Sequence, residues 1–336
     1  MRFCYLLRYC PTQTETFVYR EASGLISRGH QVRAVAWEPR EDGDELPAWE
    51  LRYPPGRAGL LHLLPRLGRT EWLLRYQRPK RVLQALWFAE QLSDEECVHA
   101  HFAGEAAEWA RLAWLERQIP YGVTVHAVDL YKPRPGLKEV LTDARVVLTV
   151  SRYNATLLRQ RYGIEARVVR CGVRPLAPSD PRVGGVVSVA RDVPKKGLDL
   201  LRAACAELGV EPELVGAEGP RPFSEVRAAL HRACLFALPC REAPDGDRDG
   251  IPVALMEAMS AGLPVLTTSL EGISELVDET VGWVVPPEDP SALAEALREA
   301  LSCPEERLRR GRAARERVRA HWSLDAQVEG LLEAWA

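Results

Sequence analysis

The chain has 336 residues, of which 46% are hydrophobic and 27% charged, and this length suits two domains better than one hydrophobic core. Its formal net charge of −3 argues against a nucleic-acid-binding protein, which would need a broad basic face. The eight cysteines lack CxxC pairs and regular spacing, so no zinc site or disulfide framework is indicated and a cytoplasmic location is expected.

The segment from Met1 to Arg8 is apolar but is interrupted by an arginine, so it predicts a first strand and not a signal peptide. No apolar run approaches the roughly 20 residues that cross a bilayer. Short β-branched runs then alternate with helical patterns, which is typical of parallel sheets covered by helices. The first series of predicted strands is Phe3–Leu7, Gln31–Ala36, Cys97–Ala100, Tyr121–Val125, Val146–Val150 and Ala166–Val169.

A proline-rich stretch at 174–181 predicts a linker between two domains. We therefore expect domains at 1–178 and 179–322, followed by a terminal segment 323–336 in which Leu324–Trp335 form an amphipathic helix. The charged helical run at 307–319 predicts a solvated face. The second series of predicted strands is Val186–Ala190, Pro212–Val215, Leu235–Leu238, Pro264–Thr267 and Trp283–Val285.

Two carboxylates, Asp249 and Glu257, lie eight positions apart across a predicted loop-to-helix junction. Pro252 suits the first helical position, and Gly262 suits the end, so the pattern predicts a helix over 252–261.

The expected N-cap of this helix is Ile251, which has no side-chain oxygen. The first-turn N–H groups would then be available to an external anion. Helical side chains lean toward the N-terminus, so Glu257 can reach the same place. An anion that carries a diol would suit both features.

This segment resembles the paired-acid motif of family 4 glycosyltransferases, which are retaining enzymes of the GT-B fold that use nucleotide sugars. Asp249 stands where the family usually has Glu. The match continues in register through Ala258-Met259, Gly262-Leu263-Pro264-Val265, Glu271-Gly272-Ile273-Ser274-Glu275, Gly282-Trp283-Val284-Val285-Pro286 and Asp289-Pro290.

The resemblance implies an α/β GT-B fold of two Rossmann-like domains with a cleft between them and a terminal helix that crosses back to the first domain. It also implies retaining transfer of a hexose-type sugar from a nucleotide-diphosphate donor to a hydroxyl of a saccharide or lipid-linked acceptor. The departing diphosphate would help to take the proton, so no protein nucleophile is assigned. No cofactor is expected, because the nucleotide sugar is a co-substrate.

In the family, an arginine and a lysine five positions later hold the diphosphate, and by this match they are Arg191 and Lys196. The match also implies that Glu257 binds the ribose and that Asp249 lies near the sugar hydroxyls. A turn residue is the alternative reading of Asp249. These cations and a helix N-terminus can neutralise the leaving group, so no metal is expected. The donor-binding residues implied are Arg191, Lys196, Asp249, Gly250, Ile251, Pro252 and Glu257.

In the first domain, the segment 124–131 resembles the family's His-Gly-x-Asp segment, with Ala127 in place of Gly. His126 would bond the donor sugar near the reacting carbon, although a structural histidine is the alternative. Asp129 would orient the acceptor side or its loop. With Arg191, Lys196 and Asp249, His126 completes the implied catalytic set.

The segment Pro11–Phe17 resembles a Pro-x-x-Ser-Glu-Thr-Phe loop of a polysaccharide-building branch of the family. Glu15 and Thr16 are therefore candidate acceptor or phosphate contacts, with helix capping as the alternative for the threonines. His99 and His101 are expected to point to opposite faces of a strand and so not to share a metal ion.

A basic, apolar insertion at about 52–88 combines arginines with leucines and aromatic residues. One interpretation is a membrane-surface helix that contacts anionic lipid at the inner face of the membrane. The alternative is a helix packed on its domain with its arginines exposed.

Two other functions are compatible with the sequence. The first is a non-catalytic nucleotide-sugar-binding subunit, because residues 127 and 249 depart from the family motif. A nucleotide-sugar epimerase of the same architecture is the other.

Overall fold

The structure is a computed structural model and describes residues 1–10, 15–39, 49–54, 57–67, 79–94 and 96–336. Its contacts group the chain into two α/β units. The first unit contains residues 1–149, 155–168 and 330–336, and the second contains residues 150–154 and 169–329. The predicted boundaries at 178 and 322 stay predictions.

The first unit has a parallel sheet with strand order β3-β2-β1-β4-β5-β6-β7. Its strands are β1 (Arg2–Cys10), β2 (Gln31–Pro39), β3 (Glu50–Arg52), β4 (Cys97–His101), β5 (Tyr121–Val125), β6 (Val146–Thr149) and β7 (Arg167–Val168). The helices that accompany them are α1 (Thr16–Ser27), α2 (Leu64–Leu67), α3 (Pro79–Gln91), α4 (Glu105–Arg117), α5 (Ala127–Tyr131), α6 (Leu137–Thr142) and α7 (Arg152–Tyr162), with a 3-10 turn at Arg57–Leu63.

The strands of this sheet are covered on both faces, as parallel sheets require. Residues 3–7 of β1 and the whole of β5 are buried. Trp335 packs on the sheet beside Gly122, where an added Cβ would lie 2.7 Å from the indole Cζ2. The absent side chain of Gly122 therefore makes room for the tryptophan.

The second unit has a smaller parallel sheet with strand order β12-β11-β10-β8-β9. Its strands are β8 (Gly185–Val189), β9 (Glu213–Val215), β10 (Ala233–Leu238), β11 (Val265–Thr268) and β12 (Gly282–Val285). The helices that follow them are α8 (Leu198–Glu207), α9 (Phe223–Arg232), α10 (Val253–Ser260), α11 (Pro290–Ser302) and α12 (Pro304–His321), with 3-10 turns at Pro194–Lys196 and Ile273–Glu275. The last helix, α13 (Leu324–Trp335), begins in the second unit, and its residues from 330 onward belong to the first.

All eleven predicted strands are confirmed to within three residues at each end, and the terminal helix begins and ends at the predicted residues. The short edge strand β3 was not predicted. Helix α10 starts at Val253, so Pro252 is its N-cap and the prediction of Ile251 is wrong. Pro252 has ψ 128°, because the proline ring fixes φ and leaves ψ free to be extended.

The prediction of a solvated face at 307–319 is wrong at its first residue. Arg307 is buried, and its guanidinium donates to the carbonyl oxygens of Pro181 and Ala300 at 2.7 Å. The arginine thus ties α12 to the chain ahead of β8.

Both sheets reverse their strand order beside the first strand. In the first unit the reversal lies between β1 and β4, and in the second it lies between β8 and β10. Ligands of open α/β sheets bind outside the carboxyl ends of the strands at such points. These two places are therefore where a site is expected.

Candidate functional site

In the second unit, the turn Pro194–Lys196 follows β8 and is held against the segment that follows β10. Gly197 has φ +62°, and a Cβ there would collide with the carbonyl oxygen of Pro239. Arg241 fixes the same turn, because its Nε donates to the carbonyl oxygen of Pro194 at 2.9 Å. The two loops at this reversal point are thus fastened together.

This fastening brings two lysines to a carboxylate. The Nζ of Lys196 donates to Oδ2 of Asp249 at 2.6 Å, and the Nζ of Lys195 lies 3.4 Å from its Oδ1. Lys195 also pairs with Asp247 at 3.1 Å. The thiol of Cys240 lies 3.5 Å from Oδ2 of Asp249. Only 14% of each side chain of the Lys196–Asp249 pair is exposed, so this is a largely buried pair of charges.

The pair keeps both groups charged. Burial raises the pKa of Asp249, but Lys196 and Lys195 outweigh it, and the net shift is downward. Burial lowers the pKa of Lys196, but Asp249 outweighs it, and the net shift is upward. The Arg191 guanidinium opposes the upward shift of the Lys196 pKa, because the two positive charges repel each other.

Helix α10 begins beside this pair. Its N-cap residue, Pro252, makes no side-chain hydrogen bond to the helix. Glu257 lies just over one turn inside and is buried. The preceding loop is set by Gly272, where an added Cβ would lie 2.7 Å from the carbonyl oxygen of Gly250. Lys196 thus contacts Asp249, which lies three residues ahead of the N-cap of α10. The donor-binding role of these residues stays a prediction.

In the first unit, a buried chain of polar side chains lies at the reversal point. The Tyr5 hydroxyl donates to Oε1 of Glu21, and Nε2 of His101 lies 3.1 Å from the same oxygen. Nδ1 of His101 lies 3.4 Å from Nε2 of His126. The predicted residue His126 is thus part of a connected polar network.

The prediction that His99 and His101 point to opposite faces is wrong. Their ring centroids are 5.4 Å apart, because residues two positions apart on a strand share a face. Nε2 of His99 lies 2.8 Å from the Thr124 hydroxyl, and its Nδ1 accepts from the Trp335 indole at 3.3 Å. His99 is therefore held between neighbours in the core.

Burial shifts the pKa values of the side chains in this network. It lowers the pKa of His99 to about 3 and that of His126 well below its ordinary value. Burial also raises the pKa of Glu21, but His101 outweighs it and holds that pKa at about 2. The Glu21 carboxylate therefore stays ionised in a network in which burial opposes protonation of His99 and His126.

Asp129 lies at the first turn of α5, where its Oδ2 accepts from the backbone N–H of His126 at 2.9 Å. Burial raises the pKa of Asp129 to about 6 against the opposing hydrogen bonds from the backbone of His126 and Ala103. Glu15 is the N-cap residue of α1, and Thr16 is its first helical residue. The rest of the predicted loop, residues 11–14, lies outside the described residues.

A cavity of about 270 Å³ brings Glu15 and Asp129 together with His101 and with residues at the carboxyl ends of β1 and β4. Thr16 and His126 are not among its lining residues.

Sequence reasoning missed several of these residues. Lys195 and Cys240 adjoin predicted elements but carried no pattern of their own. Glu21 left a readable signal, because it falls on the buried stripe of α1 together with Phe17 and Leu25. A charged residue on an apolar helix face indicates a buried partner.

Over the described part of the chain, no group of three or more His, Cys, Asp or Glu side chains is arranged to hold a metal ion. Within the same residues, no helix is long and apolar enough to span a membrane.

Comparison with known proteins bears on both units. Residues 14–175 match the family model described as Glycosyltransferase Family 4, and residues 218–317 match the model described as Glycosyl transferases group 1. The colanic acid biosynthesis protein WcaL of Salmonella typhimurium is 30% identical over 89% of this chain and 90% of its own. The amylovoran biosynthesis glycosyltransferase AmsK of Erwinia amylovora is 28% identical over 88% and 90%.

Among solved structures, Anabaena HepE in complex with UDP and glucose superposes with a TM-score of 0.73 at 16% identity. It covers 100% of this chain and 99% of its own. This similarity confirms the expected GT-B class, with two parallel-sheet α/β domains.

Proposed function

Since the chain belongs to glycosyltransferase family 4, we propose that it moves a hexose-type sugar from a nucleotide-diphosphate donor to a hydroxyl of a saccharide or lipid-linked acceptor. The step belongs to polysaccharide biosynthesis, as the names of its relatives suggest, and retains the anomeric configuration. The observation that carries the proposal is the convergence of Lys196, Asp249 and the start of α10 at the reversal point of the second sheet.

The diphosphate binds where positive charge is concentrated. Lys196 and Arg191 supply an ammonium and a guanidinium, and the first-turn amides of α10 supply uncapped donors. Charge that builds on the leaving oxygens is stabilised by these fixed groups without reorganisation. Glu257, buried one turn inside the helix, accepts hydrogen bonds from the ribose hydroxyls.

Asp249 has two tasks in this scheme. It holds Lys196 at 2.6 Å in the free protein, and it meets the hydroxyls of the donor sugar when the donor binds. A second oxygen makes this feasible, because a carboxylate accepts several hydrogen bonds. The shorter Asp thus positions the lysine that binds the diphosphate.

Retention follows when the acceptor hydroxyl attacks the face from which the diphosphate departs. The O–C bond to the acceptor forms as the bond to the diphosphate breaks, and a diphosphate oxygen takes the hydroxyl proton. His126 bonds the sugar near the reacting carbon, and Asp129 with Glu15 orients the acceptor. Since protein cations neutralise the leaving group, transfer proceeds without a divalent ion and without a cofactor.

The test is a thermal-shift panel of UDP-, GDP-, ADP- and dTDP-sugars, followed by transfer assays with the stabilising donor in the presence of EDTA. We expect one base to stabilise the protein and proton NMR of the product to show a retained anomeric configuration. Inverted product or a requirement for a metal would contradict the mechanism. Absence of any stabilisation would contradict the donor site.

We also propose that the insertion contacts an anionic membrane from the cytoplasmic side. Leu61 and Leu64 are exposed, which leaves apolar surface for such contact. Arg66 instead pairs with Glu90 and Glu116, which supports the alternative of a packed helix. Residues 55–56 and 68–78 of the insertion lie outside the described residues. Salt-sensitive flotation with anionic liposomes supports contact, and no flotation contradicts it.

A further inference from the structure

The cavity of the first unit has a mixed lining of cations and carboxylates. Arg8, Lys132 and Arg134 contribute the positive charges, and Glu15, Glu105 and Asp129 contribute the negative ones. It lies beside the carboxyl ends of β1 and β4, where the strand order of this sheet reverses. This is the position at which open α/β sheets bind ligands.

The two arginines are held as a pair by one carboxylate. Nε of Arg8 lies 3.1 Å from Oε2 of Glu105, and Nη1 of Arg134 lies 3.4 Å from Oε1. About two fifths of each arginine side chain is exposed, at 40% and 43%. Because a guanidinium carries five N–H donors, each arginine keeps donors beyond those that face Glu105.

A helix N-terminus adds to this positive end of the cavity. Helix α4 begins at Glu105, and its N-cap residue is Gly104, which has no side chain to cap the helix. A Cβ at Gly104 would lie 3.9 Å from the guanidinium carbon of Arg134, so this arginine is close to the helix start. Phe102, just ahead, has φ +67°, a strained conformation that is common at ligand sites.

The remaining polar lining of the cavity suits hydroxyl groups. Asp129 and His101 are both buried and line the cavity, and Glu15 contributes a second carboxylate. Carboxylates and imidazoles accept hydrogen bonds from sugar hydroxyls. The volume of about 270 Å³ is below the usual range for drug-sized ligands and suits a group about the size of one sugar ring.

On this geometry we propose that the cavity binds an acceptor saccharide that carries an acidic group, with Arg8, Arg134 and the start of α4 on the anion and Asp129 and Glu15 on the hydroxyls. The proposal rests on the proposed glycosyl transfer and names the class of its acceptor. The shared chemistry is an anion on a sugar ring, whether a carboxylate or a phosphate.

The experiment compares three probes by ligand-observed NMR titration of the full chain: the methyl glycoside of glucuronic acid, methyl glucoside 6-phosphate and methyl glucoside. The charged probes differ from the neutral one in a single group, so their preference reports the anion contact. A charge-assisted hydrogen bond predicts a preference of about 10-fold or more for at least one charged probe. Which of the two is preferred identifies the anion.

Arg8→Gln and Arg134→Gln, singly and together, should reduce this preference, and the double variant should abolish it. Arg159→Gln, on the exposed side of α7, is the matched control and should keep it. Lys196→Ala should also keep it, since that residue lies in the other unit; a loss there would mean that the probes bind at the donor site, which overturns the proposal. Equal binding of all three probes, or a preference that survives in the double variant, would also overturn it.

Donor binding separates this inference from the proposed function. Stabilisation by a nucleotide sugar that persists in the double variant, with the charge preference lost, supports the acidic acceptor. Stabilisation by a nucleotide sugar without any charge preference in the unaltered chain overturns the acidic acceptor alone. If no nucleotide sugar stabilises the chain, the proposed function is contradicted, whichever probe the chain binds.

Discussion

The two reversal points of this protein use charge in different ways. In the first unit, the ionised carboxylate of Glu21 contacts Tyr5 and His101, and burial opposes protonation of the neighbouring His99 and His126. In the second unit, Lys196 and Asp249 are both charged and each stabilises the charge of the other. The first arrangement makes a rigid core under a cavity, whereas the second places a cation where a diphosphate can meet it.

The largest expected effect tests the second reversal point. Lys196→Ala and Glu257→Ala should each lower donor turnover by about 100-fold or more, because each removes a group that contacts the donor in the transition state. Steady-state kinetics with the stabilising donor measures the loss, and circular dichroism checks the fold. The exposed Arg202→Ala is the control on the same unit. Near-normal turnover in both variants would refute the site.

The next effect is on stability and tests the first reversal point. Glu21→Ala leaves the Tyr5 hydroxyl and the His101 ring without their buried acceptor, which should cost roughly 3 kcal/mol of the free energy of unfolding. Chemical denaturation measures it. Glu139→Ala, exposed on α6, should cost under about 0.5 kcal/mol. Binding of the stabilising nucleotide sugar should persist in Glu21→Ala, and its loss would contradict the assignment of donor binding to the second unit.

The pH dependence should also separate the two units. The pKa of His99 is lowered from 6.5 to about 3, so the unfolded chain binds its proton first and stability falls as pH drops below 6.5. Glu21, with its pKa lowered from 4.5 to about 2, adds a further loss below pH 4.5. The raised pKa of Asp129, about 6, acts in the opposite direction between pH 6 and 3.8. The pKa of Asp249 is lowered from 3.8, so its contribution is lost only below that pH.

Hydrogen exchange at pH 7 and pH 5, corrected for intrinsic rates, checks this difference. Amides of β4 and β5 should lose protection at pH 5. The lowered pKa values of His99 and His126 destabilise the folded unit at this pH, and only the raised pKa of Asp129 acts in the opposite direction. Amides of β8 and β10 should keep theirs. Equal loss in both sheets would show that the histidine cluster does not set the acid sensitivity.

The smallest expected effect concerns the loop that carries Asp249. Gly272→Ala places a Cβ 2.7 Å from the carbonyl oxygen of Gly250, so one of the two segments must shift. We expect a loss of about 1–2 kcal/mol in stability and a rise in the KM for the donor. Gly209→Ala shows the effect of a positive-φ glycine that has no neighbour within 4 Å of an added Cβ. An unchanged KM in Gly272→Ala would show that the loop tolerates the shift.

Much of the fold was readable because its signals are local. Apolar, β-branched runs mark the strands, and the terminal helix ends where its pattern ends. The short strand β3 was not predicted, because three residues, two of them exposed, are too few to show a periodic pattern. The N-cap of α10 was misplaced by one residue, since a proline fits both the cap and the first turn.

The residues of the candidate site likewise divide into those that the sequence identified and those that it missed. Lys196 was identified from one motif and Asp249 and Glu257 from another, and the structure brings Lys196 into contact with Asp249. Their donor-binding role stays a prediction. Lys195 and Cys240 were missed, because their role depends on loops that pack after different strands. The relation of His99 to His101 was wrong although strand geometry alone gives it, since alternate residues share a face.

The sequence by itself determined the alternation of strands and helices, apart from β3, and the family, because both depend on neighbours in the chain. The tertiary structure alone decided that Glu21 meets His101 and that Arg8 meets Arg134 through Glu105. Those contacts join segments from different crossovers of a parallel sheet, so their distances follow from strand order and burial rather than from spacing along the chain.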